Sequence, residues 1–290
     1  MSALPARRIG DLEVSCLGMG AMTLTQTPDS DVASGMRAVR AALDAGVTLF
    51  DTADSYGPSG EMGVNERALV AALREAGRDA ASVVVSTKGG HTRAENASWW
   101  LDGSPEHLAA AARASLGRLG LEALPLYHLH RPDPRVPFAE SLGALKQLVD
   151  DGIAVRLGVS NVDEQQFAQA VAVLGPLLVS VQNEYSPVTR GSGPVIWACE
   201  EAGIAFLAWG PLGGMRAAKE LGGSAAAFAE VARARGMSPQ RIAIAWLLAS
   251  SLAVIPIPGA SRPESIRDSA AAAELVLDDA ELRLLNGTSG

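Results

Sequence analysis

VTLFDTADSYG, residues 47–57, decides how the chain is read. It starts as a short apolar run carrying Val47, Leu49 and Phe50, the pattern of a buried strand. It then stops on a carboxylate, Asp51, and passes through small polar residues to Tyr56 and Gly57. A longer amphipathic stretch near 62–76 follows, with the spacing of a helix. Strand, polar loop, helix is the unit, and the question is how often it recurs.

It recurs along the whole chain. Strands are expected at 14–17, 47–51, 83–87, 124–129, 155–159, 177–181, 204–208 and 254–257. Helices are expected near 31–45, 62–76, 104–119, 138–151, 163–174, 193–202, 224–236, 239–249 and 263–273. Start signals such as Ser104-Pro105-Glu106 and Ser238-Pro239 open helices, and Gly46, Gly152 and Gly203 end them. Strands alternating with helices imply parallel pairing through crossover connections. Eight strands fit a closed (β/α)8 barrel, a TIM barrel, although a doubly wound open sheet has the same local pattern. No linker or shift in composition divides residues 1–290, so one α/β domain is expected. Arg8-Ile9-Gly10-Asp11-Leu12 reads as a tight β-hairpin, turning at Gly10-Asp11, that would plug the bottom of the barrel.

Composition narrows the function. The 24 Lys and Arg residues against 32 Asp and Glu give a net charge of −8, without a basic run, which argues against nucleic acid and anionic membranes as partners. The greasy stretch from Ile242 to Pro258 is broken by serines and prolines and reads as a helix followed by a strand. The first residues lack a signal-peptide core, and Cys16 and Cys199 are too far apart in sequence for a metal knuckle or redox pair. A cytoplasmic protein without a metal site, monomeric or weakly homo-oligomeric, is the expectation.

The residues just past each strand carry the chemistry. Strand ends deliver Asp51, then Lys88 in VVVSTKGG, then His128 and His130 in LYHLHRPDP, with Tyr56 in the loop after Asp51. Ser160 and Asn161 come after the fifth strand, Gln182 after the sixth, and Trp209-Gly210-Pro211-Leu212-Gly213 after the seventh. In a β/α barrel these positions converge on the C-terminal rim, where active sites lie. Each residue alone has an ordinary structural explanation: a turn cap, a loop cation, a satisfied histidine, a packed ring. Their appearance on successive strand ends points instead to one proton-handling site.

FDTADSYG, VVVSTKGG, LYHLHRPDP, GVSN, VQNEYSP, AWGPLGG and VIPIPGASRPESIRD, in this order, resemble the aldo-keto reductases over nearly the whole chain. LHRPDP, VQNEYS and IPGAS are most similar to the bacterial and fungal general-aldehyde and pyridoxal-type branches. The resemblance implies a catalytic set of Asp51, Tyr56, Lys88 and His130, with His128 a second candidate facing the same side. It also implies hydride transfer from NADPH, with NADH the less favoured donor, to the carbonyl of an aldehyde or ketone, Tyr56 giving the proton. A lysine ammonium beside the phenol should stabilise the phenolate and lower the tyrosine pKa from its ordinary value near 10.

The same resemblance lays the cofactor across the barrel mouth. Gly20, Ala21 and Met22 would border it, Ser160, Asn161 and Gln182 would hold its carboxamide, and Trp209 would stack on the ring. Residues Gly210, Pro211, Leu212 and Gly213 would lie under the pyrophosphate. Gly259, Ala260, Ser261, Arg262, Arg267 and Asp268 would take the adenosine end. Here Gly259-Ala260 and Ser265 stand where better-known branches carry Lys-Ser and an arginine, leaving Arg262, with Arg267 in reserve, to supply the cation. Trp99 and Trp100, in the loop after Lys88, are candidates for a substrate wall beside Tyr56 and His130. The short loop after Gly214 and the chain end at Gly290 suggest an open mouth. Two other functions fit the same residues: a cofactor-binding regulatory subunit with little turnover, and a lyase using Lys88 as a Schiff-base nucleophile.

Overall fold

The computed structural model describes residues 4–26, 30–58, 60–94, 96, 98–214 and 225–287. The chain opens with an antiparallel hairpin of β1 (Ala6–Ile9) and β2 (Leu12–Ser15), in which Ile9 pairs with Leu12 around the two-residue turn Gly10-Asp11. Ile9 and Val14 from this hairpin pack inside the barrel against Leu49, Leu126, Val179, Leu207 and Ile255. The plug expected from the sequence is therefore present. The first barrel strand is not the expected 14–17, whose start belongs to the hairpin. It is the two-residue β3 (Met19–Gly20).

Next come α1 (Val32–Asp44), β4 (Leu49–Asp51), α2 (Val64–Glu75) and β5 (Val84–Gly89). A second hairpin, β6 (His91–Arg93) and β7 (Trp99–Leu101), stands in place of the plain loop expected there. The alternation then resumes with α3 (Pro105–Leu119), β8 (Leu126–Leu129), α4 (Phe138–Asp150) and β9 (Leu157–Ser160). It continues through α5 (Glu164–Leu174), β10 (Leu178–Glu184), α6 (Gly193–Ala202) and β11 (Ala205–Trp209). The last described elements are α7 (Ala226–Arg235), α8 (Pro239–Ser250), β12 (Val254–Pro256), α9 (Pro263–Ala271) and α10 (Asp279–Asn286). Helix α10 is additional to the helices expected from the sequence. The expectations about the loop after Gly214 and the chain end at Gly290 lie outside the described residues.

Eight parallel strands follow the order β3-β4-β5-β8-β9-β10-β11-β12. The ends of this sheet meet: Gly18 N donates to the Pro256 carbonyl at 2.9 Å, Gly20 N donates to the Pro258 carbonyl at 3.0 Å, and Gly20 bridges to Gly259. Closure satisfies the two edge strands and excludes the open-sheet alternative. Local chemistry agrees with this architecture. Ser104 caps α3 by accepting from His107 N, Pro105 occupies its first turn, and Gly120 ends it in the left-handed region. Among the described residues no helix is long and apolar enough to cross a membrane, and no group of three potential metal ligands occurs.

Candidate active site

Three neighbouring strands bring the expected residues together. Asp51 ends β4, Lys88 lies near the end of β5, and His130 directly follows β8. The loop after β4 turns Tyr56 back over Lys88. All four side chains are buried. The Lys88 ammonium gives its three hydrogens to three acceptors: Asp51 Oδ2 at 2.6 Å, the Thr52 carbonyl at 2.8 Å and Tyr56 Oη at 3.1 Å. The other Asp51 oxygen accepts from Ser86 Oγ at 3.0 Å and Gln182 Nε2 at 2.8 Å. An ion pair taken fully out of water survives only with such complete hydrogen bonding.

Burial works against the Lys88 ammonium, but Asp51 and the Tyr56 hydroxyl overcome it and raise its pKa. Lys88 is thus a fixed cation with no lone pair to offer, which argues against a Schiff-base role. For Tyr56 the outcome differs from the sequence expectation. Burial pushes its pKa up and outweighs the Lys88 charge, which pulls it down, while Asp51 adds to the rise. The balance favours the protonated phenol. His130 is driven well below the ordinary imidazole range, first by burial and then by His91, Lys88, Arg131 and His128. It is neutral at physiological pH and has one N–H to give.

His128 does not share this site. Although two residues from His130, it lies deeper in the barrel, between Ser86 Oγ at 3.2 Å and Ser180 Oγ at 2.8 Å. Burial, followed by Lys88, pushes its pKa down to about 3. Period-two spacing puts both imidazoles on one face correctly, but a step of two residues is about 6–7 Å along a strand. That is enough to drop His128 a layer below the pocket.

A cavity of about 440 Å³ opens above Tyr56 and His130. Of the residues expected to meet a cofactor, Gly20, Met22, Ser160, Asn161, Gln182 and Trp209 line it, as do Gly210, Pro211, Leu212 and Gly259. Ala21 does not: it is buried behind the wall, where its N–H donates to the Asp51 carbonyl at 2.7 Å. Gly213 is also outside the wall, and Ala260 is buried, its carbonyl accepting from Thr23 Oγ1 at 3.1 Å. Trp99 lines the cavity, but Trp100 is 62% exposed and takes no part in it.

The amide and hydroxyl donors here are already used. Ser160 Oγ donates to the Gln182 carbonyl at 2.6 Å. Asn161 Nδ2 donates to the His130 carbonyl and to Ser160 Oγ, both at 2.9 Å. Asn161 is the one non-glycine residue with positive φ (59°) among those described, a conformation asparagine tolerates better than most. With these donors engaged, the side-chain carbonyls of Asn161 and Gln182 are the groups free to accept from a ligand. The indole Nε1 of Trp209 is buried without a partner.

Ser261 and Arg262 are exposed beyond this cavity. Arg262 and Arg267 line a second groove of about 530 Å³ between α1, α2 and the start of α9, together with Arg37, Arg40, Glu75 and Glu264; Arg37 also pairs with Asp31 and Arg40 with Asp44. Asp268 is turned away: it takes Arg241 at 2.7 Å and the Ser238 hydroxyl. Sequence reasoning misses His91, Thr23 and Arg131 in the main cavity and both α1 arginines in the groove. For the arginines a signal exists, as a basic i, i+3 pair on the helix after the first strand.

A closed β/α barrel with a buried Asp, Lys, Tyr and neutral His at its C-terminal rim defines an oxidoreductase or proton-transfer enzyme of the barrel class. Comparison with known proteins identifies the family. The model of the aldo/keto reductase family matches residues 16–289. An uncharacterized oxidoreductase of Schizosaccharomyces pombe is 31% identical over 274 residues, covering 93% of this chain and 85% of that protein. Pyridoxine 4-dehydrogenase of Escherichia coli is 32% identical over 292 residues, covering 97% of both. Among solved structures, glycerol dehydrogenase from Gluconobacter oxydans superposes with a TM-score of 0.83 at 26% identity, covering 97% and 94% of the two chains. An aldo/keto reductase from Klebsiella pneumoniae in complex with NADP and acetate gives 0.79 at 26%, covering 98% and 95%. The chain belongs to the aldo/keto reductase family, whose members are NAD(P)H-dependent oxidoreductases.

Proposed function

We propose that this protein reduces the carbonyl of small aldehydes or reactive ketones, with pyridoxal-like aldehydes as the leading substrate class and NADPH as the hydride donor. The observation that carries the reading is the Lys88 ammonium, whose three hydrogens go to Asp51, Thr52 and Tyr56. A buried cation donating to a phenol, at the edge of an open cavity, has a chemical use: it stabilises the phenolate left when Tyr56 gives its proton away. Asp51 keeps that cation charged and in place. His130, neutral, donates to the carbonyl oxygen as negative charge builds there.

A reduced nicotinamide, when bound, supplies the hydride. The residues present fit such a group. Asn161 and Gln182 offer carbonyl oxygens for its amide hydrogens, and Trp209 offers a ring face. Gly210, Pro211, Leu212 and Gly214 border the cavity, and the glycines let backbone approach a phosphate. Arg262 and Arg267, with Arg37 and Arg40, would receive a 2′-phosphate, favouring NADPH over NADH. The relative named pyridoxine 4-dehydrogenase supports the substrate class.

The test is Tyr56→Phe. It removes one oxygen and should lower kcat by about 10²–10⁴-fold, leaving the Kd for NADPH within about twofold. Wild-type turnover in the variant would refute the assignment of the proton donor. Tight NADPH binding by the native protein, without oxidation of NADPH by any of a broad aldehyde panel, would favour a regulatory subunit instead.

A further inference from the structure

His91 is half-buried at the wall of the cavity, against the catalytic cluster. Both of its ring nitrogens lack a hydrogen-bond partner, and neither faces solvent. What it does have is a set of ring contacts. Its imidazole stacks on His130, with centroids 4.2 Å apart and planes inclined by 23°. Trp99 also packs edge-on to it, at 5.4 Å and 67°. The Arg93 guanidinium lies 4.2 Å over the Trp99 ring, across the register pair Arg93–Trp99 of the β6–β7 hairpin. His130 in turn meets Tyr56 edge-on, with centroids 5.5 Å apart. One continuous run of rings therefore leads from the hairpin to the phenol.

The His130 ring needs such a support. Its Nδ1 is buried without a partner, so no side chain holds the imidazole in a fixed orientation by hydrogen bonding at that atom, as most functional histidines are held. Asn161 fixes only its backbone carbonyl. We propose that His91 is a positioning residue: by stacking on His130 it fixes the orientation of that imidazole toward the substrate carbonyl and keeps water off it. The hairpin that carries His91 is then a buttress for the proton-handling cluster as well as a wall of the pocket.

The charge environment agrees with this role. The groups that face His130 are His91 from the hairpin, Lys88 from β5, Tyr56 from the loop after β4, and Arg131 and His128 from its own segment. None of them is a carboxylate. Removing the stacked ring would admit water beside His130 and relieve the burial that keeps it neutral.

This inference rests on the reading of His130 as the imidazole that meets the carbonyl, and the experiment separates the two. His91→Ala and His91→Phe are compared with the native protein by steady-state kinetics on an aromatic aldehyde and by NMR titration of the imidazoles. With four histidines in the chain, the His130 resonances are readily assigned. His91→Ala is expected to lower kcat at least tenfold with KM within about twofold, and to raise the apparent pKa of His130 by about one unit or more. His91→Phe, which restores a flat ring, is expected to recover most of kcat and keep His130 neutral. Native kcat and an unshifted His130 titration in His91→Ala would overturn the proposal. So would His91→Phe behaving like His91→Ala on both readouts. The NMR arm reads the buttress even if no aldehyde is turned over, so failure of the catalytic reading would show up separately.

Discussion

The inside of this barrel is two materials in one tube. Its lower layer, sealed by the β1–β2 hairpin, is apolar: Ile9 and Val14 meet Leu49, Leu126, Val179, Leu207 and Ile255. Its upper layer, on the same strands a few residues further on, holds Asp51, Ser86, Lys88, His128, Ser180 and Gln182, equally buried. The lower layer is stabilised by removal of apolar surface from water, which needs only shape and volume. The upper layer holds together through the Lys88–Asp51 ion pair and the specific hydrogen bonds around it, and removing one partner strands the others. The contrast teaches where the fold gets its stability and where it places costly chemistry.

The largest expected effect comes from breaking the upper layer at its cation. Lys88→Met leaves Asp51 buried and unpaired, which should destabilise the protein by about 3–5 kcal/mol and abolish measurable aldehyde reduction. The double variant Asp51→Asn with Lys88→Met removes both charges and should recover a large part of that stability, but no activity. Chemical denaturation of the two single variants and the double variant measures the coupling. A double variant no more stable than Lys88→Met would show that the pair is not the source of the loss.

In the lower layer, Ile9→Ala removes buried methyl groups from the plug and should cost about 2–4 kcal/mol by lost burial and cavity formation. Because the plug lies at the far end of the barrel, kcat and KM for an aldehyde should stay within about twofold of native, well below the melting transition. A kinetic defect comparable with that of Tyr56→Phe would mean the two layers are coupled after all.

How much of this contrast is legible in the sequence depends on which physics wrote each part. The hairpin turn at Gly10-Asp11, the alternation of strands and helices, and the delivery of Asp51, Tyr56, Lys88 and His130 to one rim all follow from local pattern and barrel geometry. The strand β3 is not legible, because two residues carry no periodicity and Met19–Gly20 is a strand only by pairing with β4 and closing on Gly259. The β6–β7 hairpin is hidden for a related reason: Trp99, Trp100 and Leu101 show no alternation, and their partner strand carries the polar residues His91 and Thr92. Helix α10 does carry a readable signal, the Asp278–Glu281 capping box, although its apolar stripe is short. The direction of the Tyr56 pKa cannot be read at all, since it depends on how far the phenol is buried, and burial is a property of the assembled rim.

Acid should separate the layers next. His128, pushed down to about 3, and His91, pushed down to about 4 by burial, Arg131 and Lys88, are neutral in the fold. As pH falls below about 6.5, the unfolded chain takes up protons on these imidazoles and the folded one does not, so stability falls from there toward the folded pKa values. Melting temperature should therefore drop between about pH 7 and 5, above the range where carboxylates titrate. His128→Asn should flatten that slope, whereas Ile9→Ala should lower the whole curve in parallel. A slope unchanged in His128→Asn would remove His128 as a source of it.

The smallest effect tests how tightly the plug is fitted. Gly10 has φ +60°, and a Cβ there would sit 2.7 Å from Val179 Cγ1, inside the lower layer. Gly77, just past α2, has φ +75° with nothing within 4 Å of the same position. Both positions impose the left-handed backbone on alanine at a cost of about 1 kcal/mol, but only Gly10→Ala also pushes a methyl group into packed side chains. Gly10→Ala should thus lose about 1–2 kcal/mol more than Gly77→Ala, by denaturant midpoint at equal slope. Equal losses would mean that Val179 yields freely and that the lower layer is looser than its apolar packing implies. A larger loss at Gly10 would instead show that shape alone, with no hydrogen bond at stake, is what the plug contributes.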